Sequence, residues 1–211
     1  MPMKPTPRDM LVVVDVQNDF LPGGALAVAD GDAVIAPINA LARRFQHVIL
    51  TQDWHPAGHV SFASSHPGKA PFETIEFAYG TQVLWPDHCI QGTRGAAISD
   101  ALDIPQAELI IRKGYHGHTD SYSGFLEADR RTPTGLAGYL RERGIERVFC
   151  AGLATDFCVS WTALDARQAG FDSYVIEDAS RGIDTGGSMA AALAAWDRAG
   201  VRRIRSIDIA A

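Results

Sequence analysis

The sequence predicts an α/β protein in which a central, mainly parallel sheet of about six strands lies between two layers of helices. Short apolar runs rich in β-branched residues have the length of buried strands. They occupy residues 10–16, 48–51, 108–112, 147–153, 173–177 and 202–207. Helical patterns alternate with them, at residues 32–45, 135–143, 156–169 and 188–199. This alternation predicts right-handed crossovers and therefore a three-layer α/β/α arrangement.

An apolar stripe or a terminal glycine marks each predicted helix. One face of the first carries the stripe Val34, Ile38, Leu41 and Phe45. Glycine readily ends a helix in the left-handed conformation. It follows the other three helices, at Gly144, Gly170 and Gly200.

One segment breaks the rhythm of strands and helices. Residues 54–106 separate the second and third predicted strands and contain Pro, Gly, Ser, His and Trp throughout. Loops longer than ~15 residues in compact domains are usually functional. We expect short helical pieces in this segment and a pocket wall or lid made from it. Residues 1–211 are predicted to form a single domain, with residues 1–8 as a loose tail.

Composition limits the class of partner. The chain has 211 residues, 19 basic and 25 acidic side chains and a net charge of -6, without a run of like charge. It therefore lacks the electrostatic signature of a protein that binds nucleic acid or an anionic membrane, and a small-molecule partner is expected. No apolar run approaches the roughly 18 residues of a membrane span, which favours a cytoplasmic protein. The sequence leaves the oligomeric state open and is compatible with a homo-oligomer.

The polar residues at the predicted strand ends form a consistent set. Ligands of open α/β sheets bind outside the carboxyl ends of the strands. Three reactive side chains end predicted strands and one follows the fourth strand, namely Asp15, Asp53, Lys113 and Cys158. We expect all four to converge on one edge of the sheet.

Cys158 is the candidate nucleophile among three cysteines, an odd number with no CxxC pair. It lies in the first turn of a predicted helix that Thr155 can cap, where the helix dipole favours a thiolate. The alternative is a buried structural thiol, which is the interpretation we give to Cys150 inside its strand. Asp15 follows four apolar residues and must be either paired or protonated in the interior, and Lys113 could be its partner. Asp15 could then carry the thiol proton, although a purely structural ion pair is the alternative.

A second group suggests a metal site. Asp53 and His55 are two residues apart, and Pro56 favours an extended His55, so both side chains can point to one side. Together with His59 and His88 they could bind one divalent zinc, iron or manganese ion. Surface histidines are the alternative.

Aromatic residues in predicted loops form the third component. Rings at the ligand-binding edge of the sheet could enclose a flat ligand, although ordinary packing under the long loop is the alternative. The candidates are Phe20, Trp54, Trp85 and Tyr122.

Taken together, these motifs resemble the isochorismatase-like cysteine hydrolases. The resemblance spans nearly the whole chain, through VVVDVQNDFLPGGALAV, TQDWHPAGHVSFAS, WPDHCIQGTRGA, RKGYHGHTDSYSGF and GLATDFCVSWTALDA. DWHP with WPDHC and DSYSGF narrows it to the nicotinamidase branch. It implies hydrolysis of nicotinamide to nicotinic acid and ammonia in NAD salvage, with activity extending to pyrazinamide.

The resemblance also implies roles for individual residues. Asp15, Lys113 and Cys158 match the catalytic triad of the family. The amides of Ala154 and Cys158 match its oxyanion hole, and the Leu153–Ala154 bond its unusual cis peptide. The residues that match its metal ligands are Asp53, His55 and His88, with His59 and Ser61 as candidates for a further ligand. The residues that match its substrate pocket are Phe20, Leu26, Trp85 and Tyr122.

Two rival functions are weighed against this expectation. A sister amidohydrolase acting on N-carbamoyl or ureido substrates would use the same triad but generally lacks the complete DWH and WPDHC set. A dinucleotide-binding module would need a GxGxxG turn after the first strand, where this chain has DVQNDFLPGG.

Overall fold

A parallel six-stranded sheet forms the centre of the computed structural model, which describes residues 2–210. In chain order the strands are β1 (Asp9–Val14), β2 (His47–Asp53), β3 (Thr74–Phe77), β4 (Gly80–Val83), β5 (Leu109–Lys113), β6 (Arg147–Leu153), β7 (Asp172–Arg181) and β8 (Arg202–Ile204). The sheet order is β5-β2-β1-β6-β7-β8, and β3 pairs with β4 in a separate antiparallel hairpin. Since all neighbours in the large sheet are parallel, its carboxyl ends share one edge.

The helices are α1 (Ile35–Ala42), α2 (Leu136–Glu142), α3 (Ser160–Gln168) and α4 (Ser188–Ala199). Alternate residues of β1 point to opposite faces: Leu11 and Val13 pack in the same core cluster as α1, while Met10 and Val12 pack in the cluster containing α2, α3 and α4. Cys150 belongs to the second cluster and is fully buried. The predicted three-layer α/β/α architecture is therefore confirmed.

Several predicted boundaries differ from the structure. The first helical segment opens as a 3-10 turn over Gly31–Val34 before α1. β7 continues to Arg181, beyond a register shift against β6. The apolar pattern did not predict this extension, because the second half of β7 is polar although its backbone pairs with β6. β8 is shorter than predicted and ends at Ile204, where a 3-10 turn over Ser206–Asp208 follows.

The expectations for the N-terminal tail and for the long segment 54–106 also change. The expected loose tail is wrong at Met3, whose N–H donates to Asp208 O at 2.6 Å and whose carbonyl accepts from Ala210 N–H at 2.9 Å. The long segment contains a 3-10 turn at Ala63–Ser65, and its main regular element is the β3–β4 hairpin rather than helix. Within residues 2–210, no helix is both long and apolar enough to cross a bilayer.

Candidate active site

Lys113 lies at the centre of a buried polar cluster at the carboxyl edge of the sheet. Its Nζ is 2.8 Å from Asp15 Oδ2 and 2.6 Å from Asp53 Oδ1. It also donates to Ser121 O at 2.9 Å and lies 3.3 Å from Cys158 Sγ. Burial opposes the charged form, but the two carboxylates outweigh burial and raise the pKa of Lys113 well above its ordinary value. The cluster therefore has a permanent cation beside the thiol.

Asp15 directly follows β1 with a φ of 47°, in the left-handed region. The Thr51 hydroxyl donates to Asp15 Oδ1 at 2.6 Å and accepts from the Asp15 N–H at 3.2 Å. Burial raises the pKa of Asp15, and the neighbouring Lys113 ammonium only partly opposes this shift. A carboxyl group with a raised pKa is better suited to accept and return a proton near neutral pH.

Cys158 is buried in a π-helical turn, Thr155–Val159, that leads into α3. The expected cap by Thr155 is wrong, because the turn starts at Thr155 itself and Ala154 occupies the cap position without a side-chain hydrogen bond. Burial raises the pKa of the Cys158 thiol well above its ordinary value, and Lys113 offsets this only in part, so the surroundings as a whole outweigh a preference of the helix start for the thiolate. The thiol therefore needs a base, and a carboxylate oxygen of Asp15 lies within 4.8 Å of Sγ.

Asp53, His55 and His88 bring their ligand atoms within 4.8 Å of one another, and all three side chains are buried. Asp53 Oδ2 is 3.4 Å from His55 Nε2 and 3.6 Å from His88 Nε2. His55 Nδ1 donates to Gly114 O and His88 Nδ1 to Pro86 O, both at 2.8 Å. With the protons held on Nδ1, the Nε2 lone pairs face Asp53, which is the arrangement metal-binding histidines require. The alternative interpretation, that these are surface histidines, is wrong for His55 and His88, because both are buried.

Electrostatics keep Asp53 in the form that binds a cation. Although burial would raise its pKa, Lys113 and the neighbouring histidines hold the pKa of Asp53 well below its ordinary value. Burial opposes protonation of His55, but Asp53 raises its pKa overall. A divalent cation placed among these atoms would meet one ionised carboxylate and two imidazole nitrogens.

His59 brings a ring nitrogen within 4.8 Å of ligand atoms of His55 and Asp120, and both of its ring nitrogens also have hydrogen-bond partners. Its Nδ1 accepts from the Ser61 N–H at 3.2 Å and lies 2.7 Å from Ser61 Oγ. Its Nε2 lies 3.1 Å from His116 O and 3.2 Å from Thr119 O, so the proton belongs on Nε2. Both ring nitrogens are engaged, and burial together with the nearby His55 lowers the pKa of His59 to about 4.

A small cavity opens beside these groups. Much of its lining is aromatic, which suits a flat ring. Its lining includes the four predicted pocket residues and both proposed ligand histidines, namely Phe20, Leu26, Trp85, Tyr122, His55 and His88. Trp54 lies elsewhere, with the Arg112 guanidinium 3.9 Å from its ring centroid.

Hydrogen bonds fix the aromatic wall. Trp85 Nε1 donates to the Tyr122 hydroxyl at 3.0 Å, and Gln82 Nε2 donates to the same oxygen at 2.8 Å. Gln82 Nε2 also lies 2.6 Å from Asp120 Oδ2. Phe157 packs against Trp85 edge-on, with ring centroids 4.8 Å apart. The long segment thus supplies part of the pocket wall, as predicted.

Sequence reasoning missed several residues of the site. Asp120, Phe157 and Ile183 line the cavity. Gln17 holds the backbone of Asp53 from both sides: its Nε2 donates to Asp53 O at 2.8 Å and its Oε1 accepts from Asp53 N–H at 2.7 Å. The available signal for Gln17 was its place beside Asp15, directly after the first apolar run, whereas Ile183 gave none.

Ala154 completes the edge of the cavity next to Cys158. The Leu153–Ala154 peptide bond is cis, as the resemblance implied. Amide N–H groups in the first turn of a helix have no intrahelical acceptor, so they can serve a bound oxygen.

The fold and this site define a class, namely cysteine hydrolases with a three-layer α/β/α fold that carry a buried cysteine beside an acid, a lysine and a candidate metal group. The chain belongs to the isochorismatase family, whose model, described as the Isochorismatase domain, matches residues 9–205.

Known proteins support the same assignment. A curated nicotinamidase of Acinetobacter baylyi is 58% identical over 98% of this chain and 97% of its own length. A solved Acinetobacter baumanii nicotinamidase/pyrazinamidase superposes with a TM-score of 0.95, 61% identity and coverage of 96% of this chain and 98% of that one. An L. infantum protein in complex with nicotinate superposes with a TM-score of 0.87 and 37% identity, and the match covers 100% of this chain and 99% of that one. A Pyrococcus horikoshii pyrazinamidase in complex with zinc superposes with a TM-score of 0.77 and 36% identity, covering 94% of this chain and 99% of that one.

Proposed function

We propose that this protein is a nicotinamide amidohydrolase that produces nicotinic acid and ammonia in NAD salvage and also deamidates pyrazinamide. The observation that carries the proposal is that one small aromatic cavity is lined by the Cys158 thiol and by the Asp53, His55 and His88 group. The similarity to nicotinamidases over nearly the whole chain supports the substrate class.

The proposed reaction begins with proton transfer from Cys158 Sγ to Asp15. Sulfur then attacks the carboxamide carbon, and the electron pair of the C=O bond moves to oxygen. The amides of Ala154 and Cys158 are the proposed donors to this oxyanion. When the C–N bond breaks, the nitrogen takes the proton from Asp15 and leaves as ammonia, with a thioester on Cys158.

Water completes the cycle. Asp15, again a carboxylate, removes a proton from the water that attacks the thioester carbon. The C–S bond breaks, the sulfur recovers its proton from Asp15, and nicotinic acid is released. Throughout these steps the Lys113 ammonium, 3.3 Å from Sγ, stabilises negative charge on sulfur and on Asp15.

The proposed metal ligands are Asp53, His55 and His88, and their donor set suits a divalent zinc, iron or manganese ion. Support for zinc comes from the P. horikoshii pyrazinamidase complex. A bound ion would hold the pyridine nitrogen directly or through water. Because His59 already has partners at both nitrogens, we propose that water rather than His59 completes the coordination sphere, with Ser61 contacting the ion only through water.

Phe20, Leu26, Trp85 and Tyr122 are proposed to hold the pyridine ring. The fixed Trp85–Tyr122 hydrogen bond orders both side chains before substrate arrives. An ordered aromatic pocket binds a flat ring with little further loss of side-chain freedom.

Ammonia release from nicotinamide by the purified protein tests the proposal. Release that vanishes in Cys158→Ala and falls after chelation supports the triad and metal assignments. Nicotinate binding to Cys158→Ala, measured by calorimetry, checks that the pocket remains intact. If metal-replete wild-type protein releases no ammonia from nicotinamide but hydrolyses N-carbamoyl or ureido amides, the sister amidohydrolase function replaces this one.

A further inference from the structure

Asp156 is a buried carboxylate outside the chemical steps above. It lies in the π-helical turn two residues before Cys158 and is 6% exposed. Its Oδ1 accepts from the Ile183 N–H at 3.0 Å, and its Oδ2 accepts from the Asp184 N–H at 2.8 Å. The Ser188 hydroxyl also donates to Oδ2, at 2.5 Å. Three donors thus converge on one side chain.

The donors lie in the turn that connects β7 to α4 and at the first residue of α4, a segment here called the 182–188 turn. Two successive backbone amides that point at one anion form a small anion-binding nest. Asp184 has a φ of 54°, a conformation that non-glycine residues rarely adopt. A Cβ on Gly182 would lie 2.5 Å from Met189 Sδ and 3.1 Å from Asp156 Oδ1, so the turn packs closely on the carboxylate. Asp156 therefore joins this turn to the π-helical turn that carries Cys158.

The turn reaches the substrate cavity through Ile183. Its side chain lines the same cavity as Cys158, although the two residues come from different crossovers of the sheet. The Ile183 amide is bonded to Asp156, and Asp156 shares a single helical turn with the nucleophile. One carboxylate thus connects the position of the apolar wall to the position of the thiol.

We propose that Asp156 is a positioning residue that fixes Ile183 as the wall determining which ring-substituted pyridine carboxamides fit beside Cys158. The inference rests on the proposed function, whose substrate class it refines. Asp156 does not touch the reacting atoms, and its loss should alter substrate fit more than the chemical step.

Asp156→Asn is the main test variant. Asparagine keeps the shape but offers one acceptor oxygen, and its NH2 group would face a backbone N–H. Loss of a hydrogen bond to a charged group should raise KM for nicotinamide about tenfold and leave kcat within about threefold. The ratio of kcat/KM for ring-methylated nicotinamides to that for nicotinamide should rise, since the wall can yield.

A double-mutant cycle tests whether Asp156 acts through Ile183. Ile183→Ala should produce the same change in selectivity, and adding Asp156→Asn to it should change selectivity little further. The matched control is Asp129→Asn. Asp129 also accepts from two backbone amides, Arg131 and Thr132, and from a hydroxyl, Thr132, in a turn away from the cavity. That variant should leave selectivity unchanged.

The inference is overturned if Asp156→Asn lowers kcat or melting temperature with selectivity unchanged, or if its effect adds fully to that of Ile183→Ala. Should Asp156→Asn fail to fold, Ser188→Ala removes the hydroxyl bond to Asp156 together with the bond that Ser188 Oγ accepts from the Thr185 N–H at 2.9 Å. Unchanged selectivity in that variant has the same meaning. If wild-type protein hydrolyses none of the carboxamides, the proposed function fails. Hydrogen exchange then tests the positioning role separately. The amides of Ile183 and Asp184 should exchange faster in Asp156→Asn than in wild type, and unchanged exchange rates would contradict the positioning role.

Discussion

The Asp53 carboxylate lies 2.6 Å from Lys113 Nζ through one oxygen and faces His55 and His88 through the other. One side chain therefore belongs to both the polar cluster around Cys158 and the proposed metal group. Lys113 in turn contacts Asp15, Asp53 and Cys158. Within the described residues, no other lysine or arginine side chain contacts these three residues.

Replacing Lys113 with Met should disable the enzyme and destabilise the fold. Breaking a buried ion pair by removing one partner leaves an uncompensated charge, which typically costs about 3–5 kcal/mol of unfolding free energy. We expect kcat/KM to fall about 100- to 1,000-fold, as for the loss of a group that stabilises developing negative charge. Ammonia release and urea unfolding measure the two effects.

Lys69→Met is the matched control for this substitution. Lys69 is 3.6 Å from Glu73 in an exposed pair, and such pairs contribute roughly 0–1 kcal/mol. Equal losses of stability in the two variants would contradict the role given to the buried ammonium.

Gly114→Ala should weaken metal binding. Gly114 has a φ of 66°, and a Cβ there would lie 2.4 Å from His55 Cε1. The ring must move, and loss of an orienting contact to a ligand histidine typically lowers metal affinity about 10–100-fold. Metal content after dialysis, measured by mass spectrometry, reports this directly. In Gly117→Ala the added Cβ meets Pro56 Cγ at an ordinary 3.5 Å, and undiminished metal content is expected.

The edge of the sheet where the site lies follows from sequence by a simple physical rule. Parallel strands end together, so polar residues that close apolar runs must meet, and Asp15, Asp53 and Lys113 do. The rule works because each run is long enough to fix the register of a buried strand. Cys158 meets them because its helical turn directly follows β6.

The parts that escaped prediction depend on contacts between distant segments. The β3–β4 hairpin has strands of four residues with few buried side chains, too short for a periodic signal. Ile183 is one apolar residue in a polar turn, and its N–H bond to Asp156 and its packing against the core place it at the cavity. The raised pKa of Cys158 likewise follows from burial by the surrounding fold, which a local helix-start argument omits.

The pH dependence of kcat/KM should reflect Asp15. Its carboxylate form must accept the thiol proton, and burial raises the pKa of Asp15 above 3.8. Activity should therefore fall, as pH decreases, at a higher pH than for an ordinary aspartate. The Thr51 hydroxyl stabilises the carboxylate, so Thr51→Val should move this acid limb to still higher pH, while Thr51→Ser should restore it. An unchanged acid limb in Thr51→Val would show that another group controls it.

His59 should make the metal-free fold sensitive to acid. Its pKa is about 4 in the folded chain, compared with 6.5 for an ordinary histidine, so between these values the unfolded chain binds a proton that the folded chain does not. The stabilisation is complete above pH 6.5 and is lost as pH falls toward 4, with an upper limit of about 3 kcal/mol at roughly 1.4 kcal/mol per pKa unit. In chelator-treated protein, urea unfolding from pH 7 to 4.5 should show a shallower loss in His59→Gln than in wild type, even if His59→Gln is less stable at pH 7. His118→Gln, at an exposed position, should keep the wild-type slope, and identical slopes in all three proteins would refute the assignment.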